Sequence, residues 1–178
     1  NKMIYFYEYI KTLPENDIVF FIDGFDSYIN QPLDIIKQRF LSFNKNIVLS
    51  GDKSSYLSYL LFGTCYDNMN ANTGLYSGYN KSIQELLKYI IQKNYSKDDQ
   101  RNLNEACKYF MNDIIIDSEK LLFHNLSQYE RYFNDKTDSA FVSYPGTLSL
   151  NRIKRIPKEY LPMLYNDFRY IIFLIILY

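Results

Sequence analysis

Tryptophan is absent from this 178-residue chain, histidine occurs once and cysteine twice, and each scarcity closes off a class of explanation. Cys65 and Cys107 are too few for a disulfide framework and lack metal-ligand spacing, so they read as two buried thiols. The one histidine, His124, lies on an apolar stretch and reads as a satisfied structural residue rather than a ligand. Net charge is missing too: Lys+Arg and Asp+Glu both number 20, which leaves no positive field to draw nucleic acid or an anionic membrane. No apolar run reaches the roughly 17 to 25 residues of a membrane-spanning helix. The nearest candidate, Phe168 to Tyr178, reads as a strand or helix packed on the core, with a shortened membrane anchor as the other reading. Asn1-Lys-Met-Ile is not a signal-peptide opening, and the compartment stays open.

What remains is 47% hydrophobic, enough for one sizeable core and hence a single domain. The chain is organised around Ile18-Val-Phe-Phe-Ile-Asp-Gly-Phe-Asp-Ser-Tyr28. Val19 to Ile22 is short, aromatic and β-branched, apolar on both faces, and so reads as a strand in the middle of a sheet. Asp23 and Asp26 follow at its C-terminal end, the edge at which open α/β sheets bind ligands. Two carboxylates fixed there suit Mg²⁺ or Mn²⁺ carrying a ligand's phosphates. The competing reading is a turn in which Asp23 caps backbone and Asp26 is solvated.

Elements alternate along the chain. Met3 to Leu13 has helical spacing and stops before Pro14-Glu-Asn-Asp17. Pro32 opens a helix with Leu33, Ile36, Phe40 and Leu41 on one face. Asn46 to Ser50, closed by Gly51-Asp52, is a second buried strand, so that strand, helix and strand form a βαβ unit with parallel pairing. Tyr56 to Phe62 reads as a short helix, Gly63 to Ala71 as a loop, and Asn72-Thr-Gly-Leu-Tyr-Ser-Gly78 as a strand whose glycines admit close approach. Ile83, Leu86, Leu87, Ile90 and Ile91 mark a helix capped by Asn80 or Ser82. Asp98-Asp99-Gln100 opens another carrying Leu103, Ala106, Cys107 and Phe110, where first-turn acids also suit the helix dipole. Ile114 to Asp117, Leu121 to Phe123 and Phe141 to Gly146 read as short strands, the last running into a turn.

In order and spacing, Phe-Ile-Asp-Gly-Phe-Asp, Val-Leu-Ser-Gly-Asp, Asn-Thr-Gly-Leu-Tyr-Ser-Gly, Asp-Asp-Gln, Ile-Asp-Ser…Leu-Phe-His-Asn-Leu and Val-Ser-Tyr-Pro-Gly-Thr resemble the glycosyltransferase domain of procollagen lysyl hydroxylases and its viral and microbial relatives. The resemblance covers roughly Asp17 to Tyr160. It implies a GT-A-like, Rossmann-like α/β domain over 1–165, with a mostly parallel sheet flanked by helices, and an apolar tail over 166–178. It further implies transfer of glucose or galactose from a UDP-sugar to an acceptor hydroxyl with Mn²⁺ or Mg²⁺, the acceptor in the collagen enzymes being hydroxylysine or its galactosylated form. Carried over, Asp23 and Asp26 are metal ligands, Asn72, Thr73 and Gly74 with Asp52 line the donor pocket, and Asp98 and Asp99 are the acids near the transferred sugar. Two departures stand out. Ser143 occupies the register of the family's metal-binding histidine, and the family's first βαβ unit would lie before Asn1.

Relatives act in the endoplasmic reticulum or in virus-infected cells. Beside the transferase reading stand a catalytically inactive relative serving as an interaction or structural module, and a phosphatase of the haloacid dehalogenase type. The phosphatase motif needs Asp-x-Asp, and Asp23-Gly-Phe-Asp26 has the wrong spacing.

Overall fold

A computed structural model of the chain describes residues 2–24, 27–52, 59, 61–66, 69–126 and 137–143. Asp26, most of the expected Tyr56 to Phe62 helix, the expected turn at Pro145-Gly146 and the Phe168 to Tyr178 tail lie outside them. The chain begins with helix α1 (Lys2–Ile10), which buries Met3 and Ile10 on one side. Strands β1 (Ile18–Ile22) and β2 (Ser27–Ile29), helix α2 (Leu33–Ser42) and strands β3 (Ile47–Asp52) and β4 (Asn70–Tyr79) follow. Helices α3 (Asn80–Lys93) and α4 (Asp99–Cys107) then lead to strands β5 (Ile114–Asp117), β6 (Phe123–Asn125) and β7 (Phe141–Ser143).

The fold is α/β with mixed sheets, where a mostly parallel one was expected. One sheet has the order β1-β4-β3-β5 and the other β2-β7-β6. The βαβ expectation fails in one respect. Strands β1 and β3 point the same way but do not pair, because β4 lies between them and runs antiparallel to both. The reason is length and burial: β4 is the longest strand, and seven of its ten residues are buried, so it takes the centre. Only the β3–β5 pairing in this sheet is parallel. Strand β1 is therefore an edge strand among the described residues. It is apolar on both faces because both are covered, Phe21 by Phe6 of α1 (5.0 Å between ring centroids) and Phe20 by Phe40 of α2 (6.1 Å) and Phe141 of β7 (5.1 Å).

Alternation along the strands divides the core in two. Val19, Ile47, Leu49 and Tyr76 pack with Ile83, Leu87, Leu103 and Ala106 of α3 and α4. On the opposite face Val48 and Leu75 pack with Ile36 and Phe40 of α2 and with Phe123 and Phe141 of the smaller sheet. Leu33 (76% exposed) and Leu41 (47%), expected on the packed face of α2, instead border an open groove of about 500 Å³ with Ile18, Phe20 and Tyr79.

Three local expectations are corrected, two by side chains that bind backbone and one by a disulfide. Asn80 does not cap α3: it is the helix's first residue, fully buried, and its carboxamide donates to the carbonyls of Ile10, Leu13 and Pro14, which ties the end of α1 and the turn after it to the start of α3. Strand β6 begins at Phe123 rather than Leu121. The buried Asp117 carboxylate accepts the N–H groups of Leu121 (3.0 Å), Leu122 (2.7 Å) and Phe123 (2.8 Å), which shapes that segment as a turn. Cys65 and Cys107 are not separate thiols but a disulfide, with Cα atoms 5.1 Å apart, joining the segment before β4 to the last residue of α4.

Candidate functional site

The ladder between β1 and β4 continues one step past β1, where the Asp23 N–H donates to the Gly74 carbonyl at 2.8 Å. On its other side β4 bulges. Tyr76 and Asn72 oppose the consecutive residues Leu49 and Ser50, so Thr73, Gly74 and Leu75 have no counterpart on β3. Asn72 closes this bulge by accepting the Gly74 N–H on Oδ1 at 2.6 Å. A Cβ at position 74 would stand 2.9 Å from that same oxygen and 3.7 Å from Asp23 Cβ, so a side chain there would push the Asn72 carboxamide away from the bulge.

Helix α4 brings its first turn to the same edge, and there the two acids part. Asp98 is the N-cap, its Oδ1 accepting the Arg101 N–H at 2.8 Å. Asp99 faces Lys2 of α1, whose Nζ lies 3.2 Å from Asp99 Oδ2 and 3.5 Å from Asp23 Oδ2. One ammonium thus joins the end of β1 to the start of α4. Gln100 donates to Asp52 Oδ2 at 3.1 Å, joining α4 to the end of β3. Beneath them the buried Asn104 carboxamide brackets Ala71, accepting its N–H at 2.8 Å and donating to its carbonyl at 3.3 Å and to the Gln100 carbonyl at 3.0 Å. Asp23, Asp52, Asn72, Gly74 and Asp99 are in this way drawn to one edge of the sheet. Thr73, in the bulge, is buried.

Under this polar rim lies Tyr76, whose ring stacks on Phe21 at 4.9 Å. Its hydroxyl is buried without a hydrogen-bond partner. Burial pushes its pKa well above the usual tyrosine value, and the negative charge of Asp99 pushes it further the same way.

Ser143 is buried in β7, opposite Ser27 of β2 and Asn125 of β6, and so level with the residue after Asp26. Asn125 ties this end of the small sheet to β3, donating to Ser50 Oγ at 2.6 Å and to the Gly51 carbonyl at 2.8 Å. His124 is engaged elsewhere, with Nδ1 2.9 Å from Thr137 Oγ1 and Nε2 3.0 Å from Lys120 Nζ.

No protein-family model and no curated protein matches the chain. The arrangement has to be judged on its chemistry. Among the described residues no group of three or more His, Cys, Asp and Glu converges to hold a metal ion. Mg²⁺ and Mn²⁺ do not require one, since such ions are commonly held by one or two carboxylates together with water and a substrate's phosphates. Asp23 and Asp99 are hard oxygen donors already facing a common positive charge, so they fit a divalent cation. Sequence reasoning missed Lys2, Gln100, Asn104 and Tyr76. Gln100 and Tyr76 lie within the quoted motifs without a role of their own, and Asn104 left a signal as a polar residue beside Leu103 on the apolar side of α4.

Proposed function

We propose that this chain is a GT-A-like domain that moves glucose or galactose from a UDP-sugar to an acceptor hydroxyl with the help of Mn²⁺ or Mg²⁺, and that the acceptor belongs to a collagen-like protein. The observation that supports the reading is that Asp23 and Asp99, distant in sequence, face one cation beside the Asn72–Gly74 bulge. Asp23, with Asp26, would hold the metal; Ser143 is the third candidate ligand. When bound, the metal neutralises the negative charge that develops on the departing diphosphate.

The protein's own groups have separable tasks. Asp98 is occupied in fixing α4, which leaves Asp99 as the carboxylate able to hold sugar hydroxyls or to receive the acceptor's proton. The bulge offers a place where a nucleotide approaches backbone closely, because Gly74 carries no side chain. Gln100 holds Asp52 at the same edge of the sheet. Calorimetric titration of UDP, UDP-glucose and UDP-galactose, each with and without Mn²⁺, tests the proposal. Binding that requires the metal and disappears in Asp23→Asn is expected; no heat and no shift in Tm with both ligands at millimolar levels would refute it and favour an inactive interaction module.

A further inference from the structure

Lys2 stands beside Asp23, the carboxylate proposed to hold the divalent cation. Its Nζ lies between Asp23 and Asp99, and it also sits 5.8 Å from the centroid of the Phe21 ring. The side chains of Lys2, Asp23 and Asp99 are 35%, 41% and 31% exposed, and ion pairs open to water contribute little. The contact is therefore easy to exchange. Below it, the Tyr76 hydroxyl is buried and unpartnered, a polar atom within the field of Asp99 that nothing in the described structure employs.

We infer that Lys2 is a tethered cation: it bridges Asp23 and Asp99 in the ligand-free protein, gives up Asp23 to a divalent ion, and passes to the diphosphate that arrives with it. The inference rests on reading the site as one for a metal-bound diphosphate. Its physical basis is charge. Two carboxylates are only half balanced by one ammonium before binding; a divalent ion brings two further positive charges, and the ammonium displaced by it is repelled toward the nearest anion, the phosphate oxygens. The four-carbon stem of lysine gives Nζ the reach to make such a move without displacing α1.

Removing the ammonium must then act in opposite directions on the two ligands. In the full chain, Lys2→Gln and Lys2→Met should bind Mn²⁺ alone about fivefold more tightly than the wild type, the scale expected for losing an exposed competing ion pair. With Mn²⁺ saturating, the same variants should bind UDP about tenfold more weakly, because one charge-assisted phosphate contact is gone. Lys2→Arg keeps the charge and should follow the wild type for the metal. Isothermal titration with MnCl₂, then with UDP, reads both effects, and Tm of each variant reports folding. Unchanged or weaker Mn²⁺ affinity in folded Lys2→Gln and Lys2→Met would overturn the inference, as would failure of every variant to bind the ion. If the metal effect appears but UDP binds to none of the proteins, the passage to diphosphate and the transferase reading both fall, while the competition between Lys2 and the metal holds.

Discussion

Replacing Asn104 by aspartate changes one atom group in size hardly at all and reverses its chemistry. Asn104 is fully buried, and its Nδ2 group donates to the carbonyls of Ala71 and Gln100 while Oδ1 accepts from Ala71 N–H. Aspartate keeps the acceptor and turns a second oxygen toward two carbonyl oxygens, losing both donated bonds and burying a charge. The Ala71 carbonyl left without this donor costs about 1–3 kcal/mol, while the Gln100 carbonyl stays within the helical ladder of α4. An uncompensated buried charge costs about 3–5 kcal/mol. These penalties overlap, so a loss of roughly 4 kcal/mol is expected, equivalent to a fall in Tm of about 8–16 °C for a chain of this size. The pH dependence identifies the cause. The new carboxyl has its folded-state pKa raised above the unfolded value, so folding takes up a proton between the two, and the gap from wild type widens as pH rises and narrows as pH falls toward the ordinary carboxylate range. Urea titrations at pH 7 and pH 5 measure it. A gap of under about 1 kcal/mol, or one equal at both pH values, would refute the account of Asn104 as the buried clamp between α4 and β4.

The acids at the head of α4 should separate in the same assays. Asp98→Ala is expected to lose about 1 kcal/mol as a removed N-cap and Asp98→Asn only a few tenths, whereas Asp99→Asn should leave stability nearly intact and collapse UDP-sugar hydrolysis. Equal stability of Asp98→Ala and Asp98→Asn would contradict the cap. Reduction of the Cys65–Cys107 bond, or Cys107→Ser, opens a loop of sequence separation 42 and should cost about 4 kcal/mol in the chain-entropy treatment. Urea midpoints with and without a thiol reductant check it, and coincident curves would mean the bond does not constrain the folded protein.

Elements whose signal is local were legible in the sequence. The 3.6-residue spacing of Ile83, Leu87 and Ile90 is set by α3's own packing, and the stop of β1 at Asp23 is a change from apolar to charged within one residue. What stayed hidden depends on partners remote along the chain. An apolar strand covered on both faces reads the same at the centre of a sheet or at its edge, so β1 was placed wrongly, and nothing in residues 18–52 reveals that β4 will enter between β1 and β3. The disulfide escaped for a similar reason: two cysteines this far apart meet only once α4 has folded back beside the segment before β4. At the site, the convergence of Asp23, Asp52, Gly74 and Asp99 follows from motif order, but the cation joining two of them comes from α1, whose sequence carries no mark of that task.

The central position of β4 has a consequence for synthesis. Strand β1 leaves the ribosome as five apolar residues with neither sheet neighbour nor α3 yet made, and its partner is complete only at Tyr79, 57 residues after Ile22. At translation speeds of about 5–20 residues per second this is an interval of roughly 3–11 s. Strand β3 waits on the same event. Among the described strands the sheet therefore does not grow outward from β1; it closes when β4 enters between β1 and β3, and until then these two apolar segments lack their shared partner.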